Sequence, residues 1–409
     1  MHALLKHPHL DPHIFESAPQ FKEAGIAFGV TRQAQAALAL IGDSATEYLE
    51  RAGGVPMKGV HAYVGQGPDA GELVYEQDNI AIGKKTTTIV QRANFLRAFL
   101  ADVPPERMHT SKKLQSIDRR ADGSILIHFA DGSTHEYDVL IGCDGIHSTV
   151  RKILLGDDDP ATLPRNSGCW AVFTMHPYEK ARASIGDLNV NLEDAREYGW
   201  IGEGGFMMTN LFSNGEQVQF TVTGMDRDAA GSDKWQRVVT EQDLKDLYVG
   251  KGWLPQMERA VNDLLCDQPE HRAIYLWDHP HARTYTDGPV CVLGDAAHAT
   301  TPFQASGGGM SIEDGMILAA LLGKATSPAE AAVALKVYDQ IRRPRTQKIV
   351  DSSWKTGQMM MGIDKNAGTD AVKLRAALED RWDFIMDLDL EQHREEAIQL
   401  MEAELKQKA

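Results

Sequence analysis

No stretch of the sequence runs to 18 apolar residues, so no helix is expected to span a bilayer. The opening MHALLKHPHLDPHIFE lacks the apolar core of a secretory leader. Cysteine is scarce: Cys143, Cys169, Cys266 and Cys291 are the only 4, they lie far apart, and none forms a C-x-x-C pair. That excludes a disulfide framework and a cysteine-built zinc site; buried free thiols in a reducing, cytoplasmic setting fit instead. The histidines show no paired ligand spacing, so no metal is expected. Positive charge is in deficit. With 42 Lys+Arg against 58 Asp+Glu the formal net charge is −16, which speaks against non-specific nucleic-acid binding and against anionic membrane surfaces. Repeats and low-complexity tracts are absent, and no G-x-G-x-x-G turn occurs anywhere.

What is there points to an α/β protein of two or three domains with ample core, given 409 residues. The organising stretch is Gly288 to Gly315, GPVCVLGDAAHATTPFQASGGGMSIEDG. Pro289 to Leu293 is a short run with no polar member, the pattern of a strand buried on both faces. Gly294 and Asp295 end it. A loop with His298, Pro302 and Gln304 leads to Gly307, Gly308 and Gly309, after which Met310, Ile312, Met316, Ile317, Ala320 and Leu321 repeat at helical spacing. A helix start without side chains offers bare N–H groups to electron-rich or anionic atoms. Asp295, at the strand's carboxyl end, is placed to accept hydrogen bonds from hydroxyls. A ligand with a polyol and an electron-rich ring would use both.

Two further stretches have the same character. His13 to Phe15 reads as a strand ending at Glu16, and an acid there receives adenosine ribose hydroxyls in a dinucleotide-binding fold. In CDGIHSTVR, Val139 to Ile141 is a buried strand, Asp144-Gly145 the turn, and Ser148 to Arg151 a helix start. Arg92 opens a helix in VQRANFL, where a guanidinium suits a phosphate or a ring edge.

Taken together, GDAAH…P…G, the CDGIHSTVR run and QRANFL resemble the single-component FAD-dependent aromatic hydroxylases, the class that includes salicylate hydroxylase. The resemblance implies that Asp295 holds the ribityl chain of FAD and that Gly307 to Gly309, with Pro302, lie beside the flavin pyrimidine ring. It implies that Arg92 reaches FAD, that Asp144 and Arg151 help hold FAD and the nicotinamide cofactor, and that the Gly25–Gly29 segment lies near the flavin. It also implies a Rossmann-like FAD-binding domain. Here that domain reads as N-terminally incomplete, since the chain starts inside what would be the first helix; either the sequence is truncated or the pyrophosphate cradle is lost.

The implied layout is a FAD-binding domain in two parts, 1–163 and 280–360, an inserted mixed β-sheet substrate domain, 164–279, and a C-terminal helical tail, 361–409. Residues 58–76 read as strands crossing toward the substrate side. Trp170–Met175, Val190–Leu192, Tyr198–Ile201, Phe206–Leu211 and Val218–Thr223 read as strands, with a turn at Asn214-Gly215. Trp200, Phe206 and Met208 are candidates to line an apolar pocket for a flat ring. Relatives carry an arginine after the first of these strands; this chain has Phe173-Thr-Met-His176, leaving His176 or Arg196 to recognise a carboxylate.

The implied reaction is hydroxylation of a phenolic or aromatic acid, salicylate-like or from secondary metabolism. NADPH or NADH is the reductant and O2 the oxidant, through a flavin C4a-hydroperoxide. The cofactor carries the chemistry, and His298 is the candidate polar group beside it. The alternatives are a non-catalytic relative without flavin, motivated by the missing glycine turn, and a flavin-dependent epoxidase. Oligomeric state is open, a homodimer included.

Overall fold

The computed structural model describes residues 1–21, 27–42, 47–78, 81, 83–186, 196–212 and 216–408. Gly25, the Val190–Leu192 strand and the Asn214-Gly215 turn lie outside these. The first part of the chain supplies β1 (Ile14–Phe15), β2 (Ala27–Val30), α1 (Arg32–Ile41), α2 (Glu47–Arg51), β3 (Val55–Met57), β4 (Gly59–Val64), β5 (Leu73–Asp78) and β6 (Thr87–Gln91). Then come α3 (Arg92–Leu100), β7 (Met108–His109), β8 (Leu114–Arg119), β9 (Ile125–Phe129), β10 (Thr134–Tyr137), β11 (Leu140–Gly142) and α4 (Thr149–Leu155). Thr31 caps α1 by accepting from the Ala34 amide, and Gly42 closes it. Leu4–Lys6 is a 3-10 turn, because Pro8 and Pro12 leave no room for a longer ladder.

The middle part supplies β12 (Arg165–Pro177), α5 (Tyr178–Ile185), β13 (Arg196–Gly202), β14 (Gly205–Phe212), β15 (Gln217–Met225), β16 (Gln236–Thr240), α6 (Glu241–Tyr248), α7 (Pro255–Leu264) and β17 (Glu270–Asp278). The last part is β18 (Thr286–Asp287), β19 (Val290–Val292), α8 (Asp295–His298), α9 (Gly307–Leu322), α10 (Pro328–Met360), α11 (Ala371–Leu378), α12 (Asp383–Met386) and α13 (Leu390–Lys408).

The strands make mixed sheets. β11 runs parallel to β19, which carries β18 antiparallel on its other side. β1 pairs in parallel with β7. The largest sheet has 8 strands in the order β16-β17-β12-β15-β14-β13-β4-β5, antiparallel except for the β13–β4 pair. It takes β4 and β5 from residues 59–78, so the segment 164–279 does not build the substrate sheet alone: sheet membership follows hydrogen-bonded edges, not contiguity in the chain.

Each face of this sheet has its own core, set by strand alternation. Trp170, Trp200, Met207 and Phe220 point outward and are buried under α5 to α7 with Tyr248 and Met257. Ala171, Ile201, Phe206 and Leu276 point inward, against Met359 to Met361 of α10 and its end and Leu374 of α11. A third core surrounds β19, where Val290, Cys291 and Val292 are fully buried against Met316 and Ile317 of α9 and Tyr338 of α10. Burying each such valine contributes roughly 1.5–3 kcal/mol. Cys143, expected buried, is exposed, because β11 has already ended at Gly142.

Candidate active site

Two carboxylates leave the sheet at one edge. The Leu293 amide donates to the Gly142 carbonyl at 2.9 Å, so β11 and β19 stay paired to their ends. Asp144 follows one strand and Asp295 the other, at the carboxyl ends of adjacent parallel strands, where open α/β sheets bind ligands. Gly294 makes the turn into α8 at φ 64°, the left-handed region. Asp295 is exposed, and its carboxylate forms no hydrogen bond or ion pair with the described residues. Asp144 is engaged: it accepts from Ser148 Oγ and from the amides of Thr149 at 2.6 Å and Val150 at 3.1 Å, fixing the start of α4.

Beside Asp295 stands the N-terminus of α9. No side chain caps it, since the Ser306 hydroxyl donates instead to the Gln304 carbonyl. Its glycines fit closely against the first part of the chain. A Cβ on Gly308 would lie 3.2 Å from the Phe28 ring, and one on Gly309 3.5 Å from Ala34. Phe28 and Gly29 belong to β2, and Thr31 and Ala34 to α1, so these elements form one wall with the helix start. Ala305, just ahead, holds a left-handed φ of 50°, and Pro302 is exposed. A free carboxylate next to uncapped amides fits a group that presents hydroxyls and an electron-rich ring edge. Glu16 ends β1 and accepts from the Ala18 amide at 2.7 Å. Arg92 begins α3 and is exposed.

Beneath this surface lies a buried charge network. His298, 1% exposed, places Nε2 2.5 Å from Asp314, which also accepts from the Gly294 amide at 3.2 Å and from Arg342 Nε at 2.7 Å. Burial alone would raise the Asp314 pKa; the charges of His298 and Arg342 outweigh it and hold the carboxyl well below the usual range. Glu313 likewise pairs with Arg342 and Arg345, at 2.7 and 2.9 Å. His298 thus braces the Gly294 turn from below and presents no surface to a substrate.

Arg151 does not reach the edge either. It is fully buried and donates to the carbonyls of Ala161, Pro280, Ala296 and Ala297, tying α4 to α8. The cofactor role implied for Arg151 is therefore replaced by a structural one.

The inner face of the large sheet is the opposite wall. Phe206 and Met208 belong to it, but Trp200 points to the outer face, so the three do not share a pocket. His176 and Arg196 also point outward. His176 lies 2.9 Å from the Thr174 hydroxyl, and Arg196 pairs with Asp78 at 2.6 Å, so neither replaces the missing arginine. On the inner face Tyr75 of β5 stacks on Trp382 at 4.4 Å, and Phe173, Phe303 and Trp354 are half-buried nearby.

The sequence reading missed Glu197 and Asn210. They face each other across β13 and β14, on the side of Ile201 and Phe206. The Glu197 carboxyl is pushed up to about 7 by burial, partly offset by a hydrogen bond from Asn210. An acid directly ahead of the Tyr198–Ile201 run, two residues before Gly199, was the available signal.

Comparison with known proteins bears on this edge. The family model described as FAD binding domain matches residues 107–353. The chain is 33% identical to a 6-methylsalicylate 1-monooxygenase of Aspergillus terreus, over 97% of this chain and 88% of the relative. It is 30% identical to a salicylate hydroxylase of Pseudomonas putida, over 96% and 90%. Among solved structures, a salicylate hydroxylase substrate complex superposes with a TM-score of 0.83 at 24% identity, covering 97% of this chain and 94% of that one.

Proposed function

The chain belongs to the FAD-dependent aromatic monooxygenases of the salicylate hydroxylase family, and we propose that its substrate is a small phenolic ring held on the inner face of the large sheet. FAD is the cofactor, and nicotinamide reductants are typical of this class. The observation that carries the reading is the Asp295 carboxylate, without a partner among the described residues, beside the uncapped glycine amides of α9.

In this reading Asp295 would accept from the ribityl hydroxyls of FAD, and the amides of Gly307 to Gly309 would serve its ring. Glu16 would take the adenosine ribose and Arg92 the phosphates, while Asp144 keeps the α4 turn in place at the same edge. Gly29 and Phe28 line the wall against α9. Bound FAD supplies electron transfer from the nicotinamide and activation of O2. The protein's share is orientation and exclusion of water: Phe206, Met208, Tyr75 and Trp382 enclose the ring in an apolar wall. His298 acts through Asp314 and the Gly294 turn, as a positioning residue.

The test is anaerobic mixing of FAD-loaded protein with NADH or NADPH, with and without phenols. The expected result is a faster loss of flavin absorbance near ~450 nm when a phenol is present. No acceleration across a broad panel of phenols would overturn the assignment. Product analysis under labelled O2 would show one labelled oxygen in a ring hydroxyl.

A further inference from the structure

We propose that Glu197 and Asn210 form a polar subsite for a neutral hydroxyl or carbonyl of the substrate, and that it disfavours a carboxylate there. The inference rests on the aromatic-monooxygenase reading and narrows its substrate class.

Three observations carry it. First, register: Tyr198 pairs with Thr209, which sets Glu197 opposite Asn210 on the face that carries Ile201, Phe206 and Met208. Second, Asn210 is 8% exposed and its side-chain oxygen is buried without a hydrogen-bond partner, while its amide serves Glu197. An unmet acceptor in an apolar wall is costly, and a donor from a ligand would satisfy it. Third, the subsite adjoins an aromatic wall. Gly199, opposite Met208, has no side chain, which lets the Phe206 ring lie against the strand: a Cβ there would come within 2.8 Å of it. Tyr75, stacked on Trp382, stands close enough for Glu197 to act on its phenol.

Among the described residues no cation compensates Glu197. The groups facing it are Asn210 from β14 and Tyr75 from β5, with Asp383 of α12 and Arg32 of α1 acting on Tyr75 beyond. Arg196, His61, Glu76 and Asp78 pair among themselves on the other face. Buried without a cation, the Glu197 carboxyl stays largely neutral below pH about 7 and can then both donate and accept. Above that it carries a negative charge, which repels an anionic ligand more than a neutral one.

The test compares resorcinol with meta-hydroxybenzoate, a matched pair in which a carboxylate replaces one hydroxyl. Dissociation constants are read from flavin absorbance changes in the FAD-loaded protein, near pH ~6 and ~8.5. Wild type should bind resorcinol within ~3-fold at both pH values and meta-hydroxybenzoate ~10-fold more weakly at the higher one. Glu197→Gln should remove that penalty, so that meta-hydroxybenzoate affinity agrees within ~3-fold between the two pH values. Asn210→Leu should raise KM for resorcinol about 10-fold with kcat little changed. Flavin content and melting temperature of each variant report on folding. Carboxylate binding that is independent of pH in wild type, or an unchanged penalty in Glu197→Gln, would overturn the subsite and leave the flavin chemistry standing. Loss of aromatic-stimulated NAD(P)H oxidation in wild type would instead remove the reading on which it rests.

Discussion

At the scale of single residues, the two acids at the sheet edge differ in what they are free to do. Asp144 is committed to the first turn of α4, whereas Asp295 has no partner among the described residues. Asp295→Ala should therefore weaken FAD binding by ~10- to 100-fold, the worth of hydrogen bonds to a charged acceptor. It should barely move the unfolding midpoint of the flavin-free protein. Fluorescence titration with FAD and a urea melt separate the two effects. His279 is the reverse case. It is 2% exposed, and burial, with the charge of Arg151, pushes its pKa down to about 3 despite a backbone contact with Ile146. His393 is pushed down to about 4 by burial and Arg342. In the unfolded chain both titrate near ~6.5, so below that pH the unfolded state binds protons that the folded state does not. Stability is full above ~6.5 and falls with acidification by about 1.4 kcal/mol per pH unit for each histidine. Between pH ~7.5 and ~5 Glu197, protonated when folded, contributes in the opposite direction, so the wild type is compared with His279→Phe: the variant should lose about 1.4 kcal/mol less per pH unit below ~6.5 in urea melts.

At the scale of elements, α9 is held from both ends of its sequence logic. Its glycines make the start approachable, and its Glu313 and Asp314 anchor it to α10 through Arg342 and Arg345. The Tyr338-to-Arg345 stretch is thus structural: Tyr338 donates to the Val292 carbonyl at 3.1 Å, holding α10 on β19. Arg342→Met would leave Asp314 and Glu313 buried with less compensation. The expected cost is ~3–5 kcal/mol in a urea melt. Adding Asp314→Asn should cost less than the sum of the single changes, because both act on one network. This part of the site was legible in the sequence, since an apolar run, an acid and three glycines are local signals that need no partner to be read. The inner wall was not. Whether Trp200 or Phe206 faces inward depends on register with strands far away in the chain, and a slip of one residue reverses every side chain. Glu197 was invisible for the same reason, and Arg151 was misassigned because its four carbonyl partners come from three separate segments.

At the scale of the whole molecule, the division into two FAD-binding parts, a substrate sheet and a tail dissolves where the cores are considered. Residues 361–409 are not an appendage. Ala367, Leu374 and Leu378 fill the inner core of the large sheet, Leu390, Ala397 and Met401 fill the core around β19, and Trp382 lies on Tyr75. Arg32 at the start of α1 pairs with Asp387, which also takes Lys84 at 2.9 Å, so the same segment closes over the first part of the chain. The tail therefore couples the cofactor edge to the substrate wall. Trp382→Ala should loosen that coupling without unfolding the protein: its half-buried ring is worth less than the ~3–5 kcal/mol of a fully buried one, and the remaining wall keeps its contacts. More of the NAD(P)H oxidised should then appear as hydrogen peroxide instead of hydroxylated product. Leu374→Ala, fully buried in the same core but not a member of the stacked pair, should cost ~2–5 kcal/mol in a urea melt. Its ratio of product to NAD(P)H oxidised should not change. If both substitutions shift that ratio equally, the tail acts only through stability, and the link between wall and cofactor edge is absent.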